Sequence, residues 1–273
     1  MSFLNLFKKS TIIKDEIKIP FVVLNEVIEE NRKLLSNVVT WIDEEAFKKS
    51  FFQYGVPDYI KTELNKVINN EPTYSDYIVF FGRKYFKKVN YFEIGVSVGK
   101  NFYQVINGIK VGEFTGFDIE EINPILESKL KLIKKYNWHT ISNSIKTNNS
   151  SFAKYNFEGN KVNYMAADVW DENSWENLEG NKFNILFSDA LHTAEAILFE
   201  FEMLVKYNLL DDKFIIIWDD LVGEMQKSYF EIIKKYNHKF SLKERYLINV
   251  NGWVGNNELP HTIGIISNFS FSL

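Results

Sequence analysis

From Phe21 to Phe52 the apolar positions Leu24, Val27, Ile28, Leu34, Leu35, Val38, Val39, Ile42 and Phe47 recur at threes and fours, with Glu and Lys between them. That is the period of an amphipathic helix. Gly55-Val56-Pro57 breaks it, and Tyr59 to Ile68 predicts a second, shorter helix before Glu71-Pro72. Residues 1–75 therefore read as a helical N-terminal cap on whatever follows.

From Tyr77 the pattern changes to alternating strands and helices, so 76–273 reads as a single α/β domain. After a lead-in helix near 74–86, strands are predicted at 90–95, 113–118, 161–167, 183–188 and 213–218. Helices follow Gly99 and start at Pro124, a residue suited to a first helical turn. Another carries Ile197, Leu198, Phe201, Leu204 and Val205 on one face, and a last one runs from Glu224 to Tyr236. The run Lys213-Phe-Ile-Ile-Ile-Trp218 is continuously apolar, as a central parallel strand must be. Residues 138–160 are rich in Ser and Asn and lack a period, which predicts a long loop or insertion. Phe240 to Val250 and His261 to Ser267 read as a closing hairpin around Gly252, Gly255 and Pro260. The expected architecture is a doubly wound, mostly parallel, seven-stranded Rossmann-like sheet that ends in an antiparallel hairpin, with the helical cap attached.

Composition narrows the chemistry. The 273 residues are 45% hydrophobic and 25% charged, the balance of an ordinary globular protein. A formal net charge of −4 argues against a nucleic-acid partner, which needs a basic face. No run approaches the roughly 20 apolar residues of a membrane span, and Met1 to Lys9 lacks the basic start and apolar stretch of a signal peptide. A cytoplasmic protein without a membrane partner is the expectation; a homo-oligomer stays open. The absence of cysteine excludes disulfides, thiolate metal sites and cysteine nucleophiles. His139, His192, His238 and His261 show no paired spacing, and all but His192 read as loop or surface residues. A metal would therefore be held mainly by carboxylates, which selects hard ions such as Mg²⁺.

The glycines of Glu93-Ile-Gly95-Val-Ser97-Val-Gly99-Lys100-Asn101 follow the first predicted strand directly. In an open α/β sheet that is where a ligand meets the backbone. A dinucleotide fingerprint would need a glycine at Ser97 and a glycine or alanine at Lys100. A P-loop would need a glycine at Ile94 and a hydroxyl residue at Asn101, so Gly99-Lys100 is a near miss. The pattern acid-x-Gly-x-x-x-Gly is intact. An acid follows one βαβ unit later, in Gly116-Phe117-Asp118, where a carboxylate can accept both hydroxyls of a ribose. Glu120 and Glu121 compete for that role. Ala167-Asp168 ends the next strand, with Trp170 beside it.

This series resembles the Rossmann-like S-adenosylmethionine-dependent methyltransferases. The resemblance implies that Glu93, Gly95, Ser97, Gly99, Asp118, Ala167, Asp168 and Asp189 surround S-adenosylmethionine, with Asp168 on the adenine amino group and Trp170 as a wall of the ring pocket.

Ser188-Asp189-Ala-Leu-His192 and Trp218-Asp219-Asp220 end two further strands, whose tips are neighbours in a parallel sheet. Three converging carboxylates resist ionisation unless a cation or protons compensate them, and a divalent ion is the simplest compensation. The arrangement resembles the metal-dependent O-methyltransferases of the catechol and macrolide-sugar types. It implies Asp189, Asp219 and Asp220 as ligands of Mg²⁺ or another divalent cation and His192, with Asp189, as the catalytic pair that activates a small-molecule or sugar hydroxyl. The sugar-modifying relatives usually show Asp-Gly-Asp-His where this chain has Asp189-Ala-Leu-His192. Three other readings remain open on the residues: a metal-independent N- or O-methyltransferase, a non-catalytic binding protein on the same scaffold, and a nucleotide-binding protein that uses Gly99-Lys100.

Overall fold

The computed structural model describes residues 13–14, 21–43, 71–138, 150–251 and 260–271. Five strands run parallel through the centre of one sheet: β1 (Val89–Ile94), β2 (Gly112–Asp118), β5 (Asn160–Ala166), β6 (Phe183–Ser188) and β7 (Leu210–Trp218). Two antiparallel hairpins flank them, β3 (Lys131–Trp138) with β4 (Ser150–Phe157), and β8 (Glu244–Asn251) with β9 (Pro260–Ser267). The spatial order is β3-β4-β5-β2-β1-β6-β7-β9-β8.

Helices cover both faces because the strand side chains alternate. Ile185, Phe187, Ile215 and Ile217 point into one core together with Tyr91 and Phe114. That core is closed by α1 (Phe21–Asp43), α2 (Tyr74–Tyr85) and α3 (Lys100–Gly108). Leu186, Ile216 and Trp218 point to the opposite side, closed by α6 (Ala194–Lys206) and α7 (Glu224–Phe240). Each side chain sits in an apolar layer, so the central strands need no polar face. Among the described residues there are also two one-turn helices, α4 (Pro124–Ser128) and α5 (Glu172–Glu176).

Helix α1 is fastened to α2 by a buried ion pair. Arg32 Nη2 donates to Asp76 Oδ2 at 2.8 Å, and Asn31 Nδ2 donates to Asp76 Oδ1 at 2.7 Å. The second predicted N-terminal helix, Tyr59 to Ile68, lies outside the described residues, as does His139.

Strands stand at each predicted position, but the sheet holds nine strands among the described residues, not the expected seven. The stretch 138–160, expected as a loop, holds the end of β3, all of β4 and the first residue of β5. The helix beginning at Pro124 stops at Ser128, and the chain then turns into β3. The hairpin escapes a periodicity search because β3, Lys-Leu-Ile-Lys-Lys-Tyr-Asn-Trp, is an edge strand exposed on nearly every residue. Without a buried face there is no apolar alternation to read, and its lysines are what an edge strand carries to discourage pairing. No helix among the described residues is long and apolar enough to cross a membrane.

Candidate functional site

The chain leaves β1 for β2 and β5 on one side and returns to β6 and β7 on the other. The carboxyl end of β1 is thus the topological switch point, where two outgoing connections diverge and leave a crevice. The ladders continue past the strand ends and align the loops along it. Gly95 N–H donates to Phe117 O at 2.8 Å, Ala167 N–H to Asp118 O at 2.8 Å, Asp189 N–H to Ile94 O at 2.8 Å, and Asp219 N–H to Ser188 O at 3.0 Å. Every strand-tip residue singled out from the sequence therefore lies on one edge.

Gly95 has φ +85°, and a Cβ there would stand 2.4 Å from Asp189 O and 2.5 Å from Ala190 N. Only glycine lets the β1 tip lie this close to the β6 tip. Ser97, with φ 52°, also takes the left-handed region, which is strained for a residue with a side chain. The strain is held by Asp118, whose Oδ2 accepts from Val96 N–H at 2.7 Å and Ser97 N–H at 2.8 Å. Its Oδ1 accepts from Glu120 N–H at 2.9 Å. Burial raises the Asp118 pKa, while these backbone donors pull it back. Asp118 is therefore the brace of the glycine loop. Glu121 is taken up by Lys135 at 2.8 Å and Ser151 at 2.9 Å.

Glu93 lies beneath the loop, 1% exposed, and its Oε2 accepts from Tyr91 Oη at 2.7 Å and Asn101 Nδ2 at 2.8 Å. Burial lifts its carboxyl to about 8, against the pull of those two donors. Asp168 is buried and accepts from Trp170 N–H at 3.0 Å. Trp170 itself is exposed beside Phe199, with ring centroids 5.0 Å apart.

At the other end of the crevice, three aspartates and two histidines alternate. His192 Nε2 is 3.1 Å from Asp189 Oδ1, and its Nδ1 is 3.3 Å from Asp220 Oδ2. His261 Nδ1 is 3.1 Å from Asp220 Oδ1 and 2.7 Å from Asp219 Oδ2. The predicted convergence of Asp189, Asp219 and Asp220 is present, but His261 corrects the sequence reading. It begins the return strand β9 and stands between two of the aspartates, not on a loop or open surface. No local signal marks it, because it comes beside the β7 tip only through the antiparallel pairing of β9 with β7, whose register sets Trp218 against Gly264.

Opposite charges alternate within this row. Burial opposes a charge on His261, but its bonds to Asp219 and Asp220 prevail and lift it to about 10. His192 is raised by its bond to Asp189, against burial. Burial and the nearby Asp189 push Asp219 up, whereas the bond from His261 pulls Asp220 down. Beneath the row, Ser188 Oγ donates to Glu200 Oε2 at 2.6 Å. Glu200 was not foreseen; it is buried on α6, and burial lifts its carboxyl to about 7.

Among the described residues, Asp219, Asp220 and His261 can each offer a ligand atom within 4.8 Å of the others. Asp219 Oδ1 is buried without a hydrogen-bond partner, which fits a site that accepts a cation. The donor set is two carboxylates and an imidazole, with His261 in the place expected of Asp189; Asp189 is paired with His192 instead.

No family model matches the chain, and no curated protein does. Solved structures with some likeness include the N-methyltransferase NodS from Bradyrhizobium japonicum WM9 with S-adenosyl-L-homocysteine, at TM-score 0.43 and 10% identity over 88% of this chain and 100% of that one. An O-methyltransferase from Bacillus cereus with the same compound gives 0.44 and 15% over 97% and 96%. The plantazolicin methyltransferase BpumL, also with it, gives 0.44 and 14% over 90% and 99%. Likeness this slight carries no functional argument.

Proposed function

We propose that this chain is an S-adenosylmethionine-dependent methyltransferase acting on a hydroxyl of a small molecule or sugar. The observation that carries the reading is the meeting, on one crevice edge, of the braced Gly95–Gly99 loop and the alternating row of aspartates and histidines. The loop supplies close backbone approach for the donor, and the row supplies groups that hold and move a proton. Under this reading Gly95, Ser97 and Gly99 shape the donor's bed, Asp118 holds that bed in shape, and the ribose meets the same tip. Ala167, Asp168 and Trp170 border the adenine.

Transfer is an in-line displacement in which the acceptor oxygen forms a bond to the methyl carbon as the carbon–sulfur bond breaks. The bonding pair stays on sulfur, which leaves as a neutral thioether. The acceptor's proton passes to His192 in its neutral form, and Asp189 and Asp220 steady the resulting imidazolium. Because Asp189 raises the His192 pKa, the neutral base becomes available only as the pH rises above the ordinary histidine range. Alignment of donor and acceptor in the crevice supplies much of the remaining acceleration. Asp219, Asp220 and, once its proton is displaced, His261 would hold a divalent ion, which when bound would acidify the acceptor hydroxyl.

A second reading rests on the same row of charges. His192 and His261, when protonated, offset two of the three carboxylates, so the chain itself supplies much of the positive charge that a cation would bring. The two readings separate on EDTA treatment. Transfer from methyl-labelled S-adenosylmethionine that disappears on chelation and returns with Mg²⁺ supports the metal-assisted form. Activity that survives chelation, and survives Asp219→Asn with Asp220→Asn, supports the metal-free form.

A further inference from the structure

The hydroxyl of Tyr74 is buried without a hydrogen-bond partner, and the residue is 0% exposed. Tyr74 is the first residue of α2, and its position is fixed from three sides. Thr73 and Asp76 form a reciprocal capping box around it, with Thr73 N–H donating to Asp76 Oδ2 at 2.8 Å. Asp76 is in turn held by Arg32 and Asn31. The Tyr74 ring stacks on Phe187 of β6 at 4.9 Å and meets the edge of His261 at 5.7 Å. The phenol is thus wedged between the β6 tip and the row of aspartates and histidines.

Its surroundings decide what it can do. After burial, the groups that act on it most are Asp189, Asp219, Glu93 and Asp220, and together they hold its pKa well above the usual phenol range. A phenol ordinarily keeps its proton at neutral pH, so among these acids its hydroxyl serves as a donor. A buried donor without a partner weakens the free protein. Such a group is retained where a ligand supplies the missing acceptor.

The methyltransferase reading says which acceptor that is. With adenine and ribose over the β2 and β5 tips, the amino-acid end of the donor lies toward β1 and β6, where Tyr74 stands. That end is a zwitterion. Asp189 suits its ammonium, but its carboxylate needs an uncharged or cationic donor in a wall made largely of acids. We propose that Tyr74 is a binding residue of the site, its hydroxyl donating a hydrogen bond to the α-carboxylate of the methyl donor. This assignment rests on the methyltransferase reading.

The test compares wild type with Tyr74→Phe, which keeps the stacking ring and removes only the hydroxyl. S-adenosylhomocysteine and methylthioadenosine serve as probes, the second lacking the amino-acid end. The expected result is an unliganded Tm equal to or above that of wild type, about tenfold weaker binding of S-adenosylhomocysteine, and unchanged binding of methylthioadenosine. Unchanged affinity for S-adenosylhomocysteine would overturn the assignment. So would an equal loss for both probes, or a fall of several degrees in the unliganded Tm, which would mean that the hydroxyl has an internal partner. If wild type binds neither probe, the methyltransferase reading falls and takes this assignment with it; if wild type binds and Tyr74→Phe binds equally well, Tyr74 alone is wrong.

Discussion

The two ends of the crevice are built differently. At the β1–β2 end a carboxylate holds backbone: Asp118 ties down Val96 and Ser97 through their N–H groups. At the β6–β7 end carboxylates hold side chains that titrate: Asp189, Asp219 and Asp220 share His192 and His261. The first end is a shaped surface whose form rests on backbone N–H groups held by a carboxylate. The second is a chain of charges in which moving one proton changes every neighbour. Under the proposed function the former would receive the methyl donor and the latter the acceptor hydroxyl.

The difference can be broken by substitution, and the largest effect should come from the proton-handling end. His192→Gln keeps a polar side chain but no base, and methyl transfer should fall by about 10²-fold or more. Affinity for S-adenosylhomocysteine should hold, and the rise of activity with pH above the ordinary histidine range should vanish. A matched loss of cofactor affinity would show that the ends are not separate.

His261→Gln should cost stability more than binding. It leaves Asp219, 3% exposed, without its cation. Stripping one partner from a buried pair costs about 3 kcal/mol, readable in urea denaturation. If stability is unchanged, His261 is not the counter-charge of Asp219.

Asp118→Asn tests the shaped end. An amide loses the charge and half the acceptor capacity that brace Val96 and Ser97, so binding of S-adenosylhomocysteine should weaken by about tenfold. Glu120→Gln, which leaves the loop's brace in place, should do less. A larger effect at Glu120 would move the main donor contact on this tip from Asp118 to Glu120.

The last test is a pH slope under the glycine loop, small at any one pH. Glu93 keeps its proton in the folded chain to about pH 8, whereas in the unfolded chain it ionises above its ordinary value of 4.5. Its contribution to stability is full below that value and is lost as pH rises through 8, with a slope of at most about 1.4 kcal/mol per pH unit. Glu93→Gln should flatten this part of the stability profile. An unchanged profile would show that Glu93 is ionised when folded.

What the sequence disclosed divides along the same line. The glycine loop could be read because its parts are contiguous, and the tips of β2, β5, β6 and β7 because one acid closes each apolar run. His261 could not be read, since it reaches Asp219 only through the pairing of β9 with β7. Tyr74 and Glu200 lie within helical apolar patterns, where an aromatic or a lone acid carries no sign of burial beside a site. The β3–β4 hairpin was hidden because an exposed edge strand has no buried face to impose a period.

The central claim is that the loop from Gly95 to Gly99 receives the methyl donor. Titration calorimetry of S-adenosylhomocysteine against wild type and Gly95→Val tests it most directly, because the valine would drive atoms into Asp189 O and Ala190. One binding site in the wild type and none in a folded Gly95→Val is the predicted result. Absence of binding by wild type, or equal binding by the variant, would contradict it.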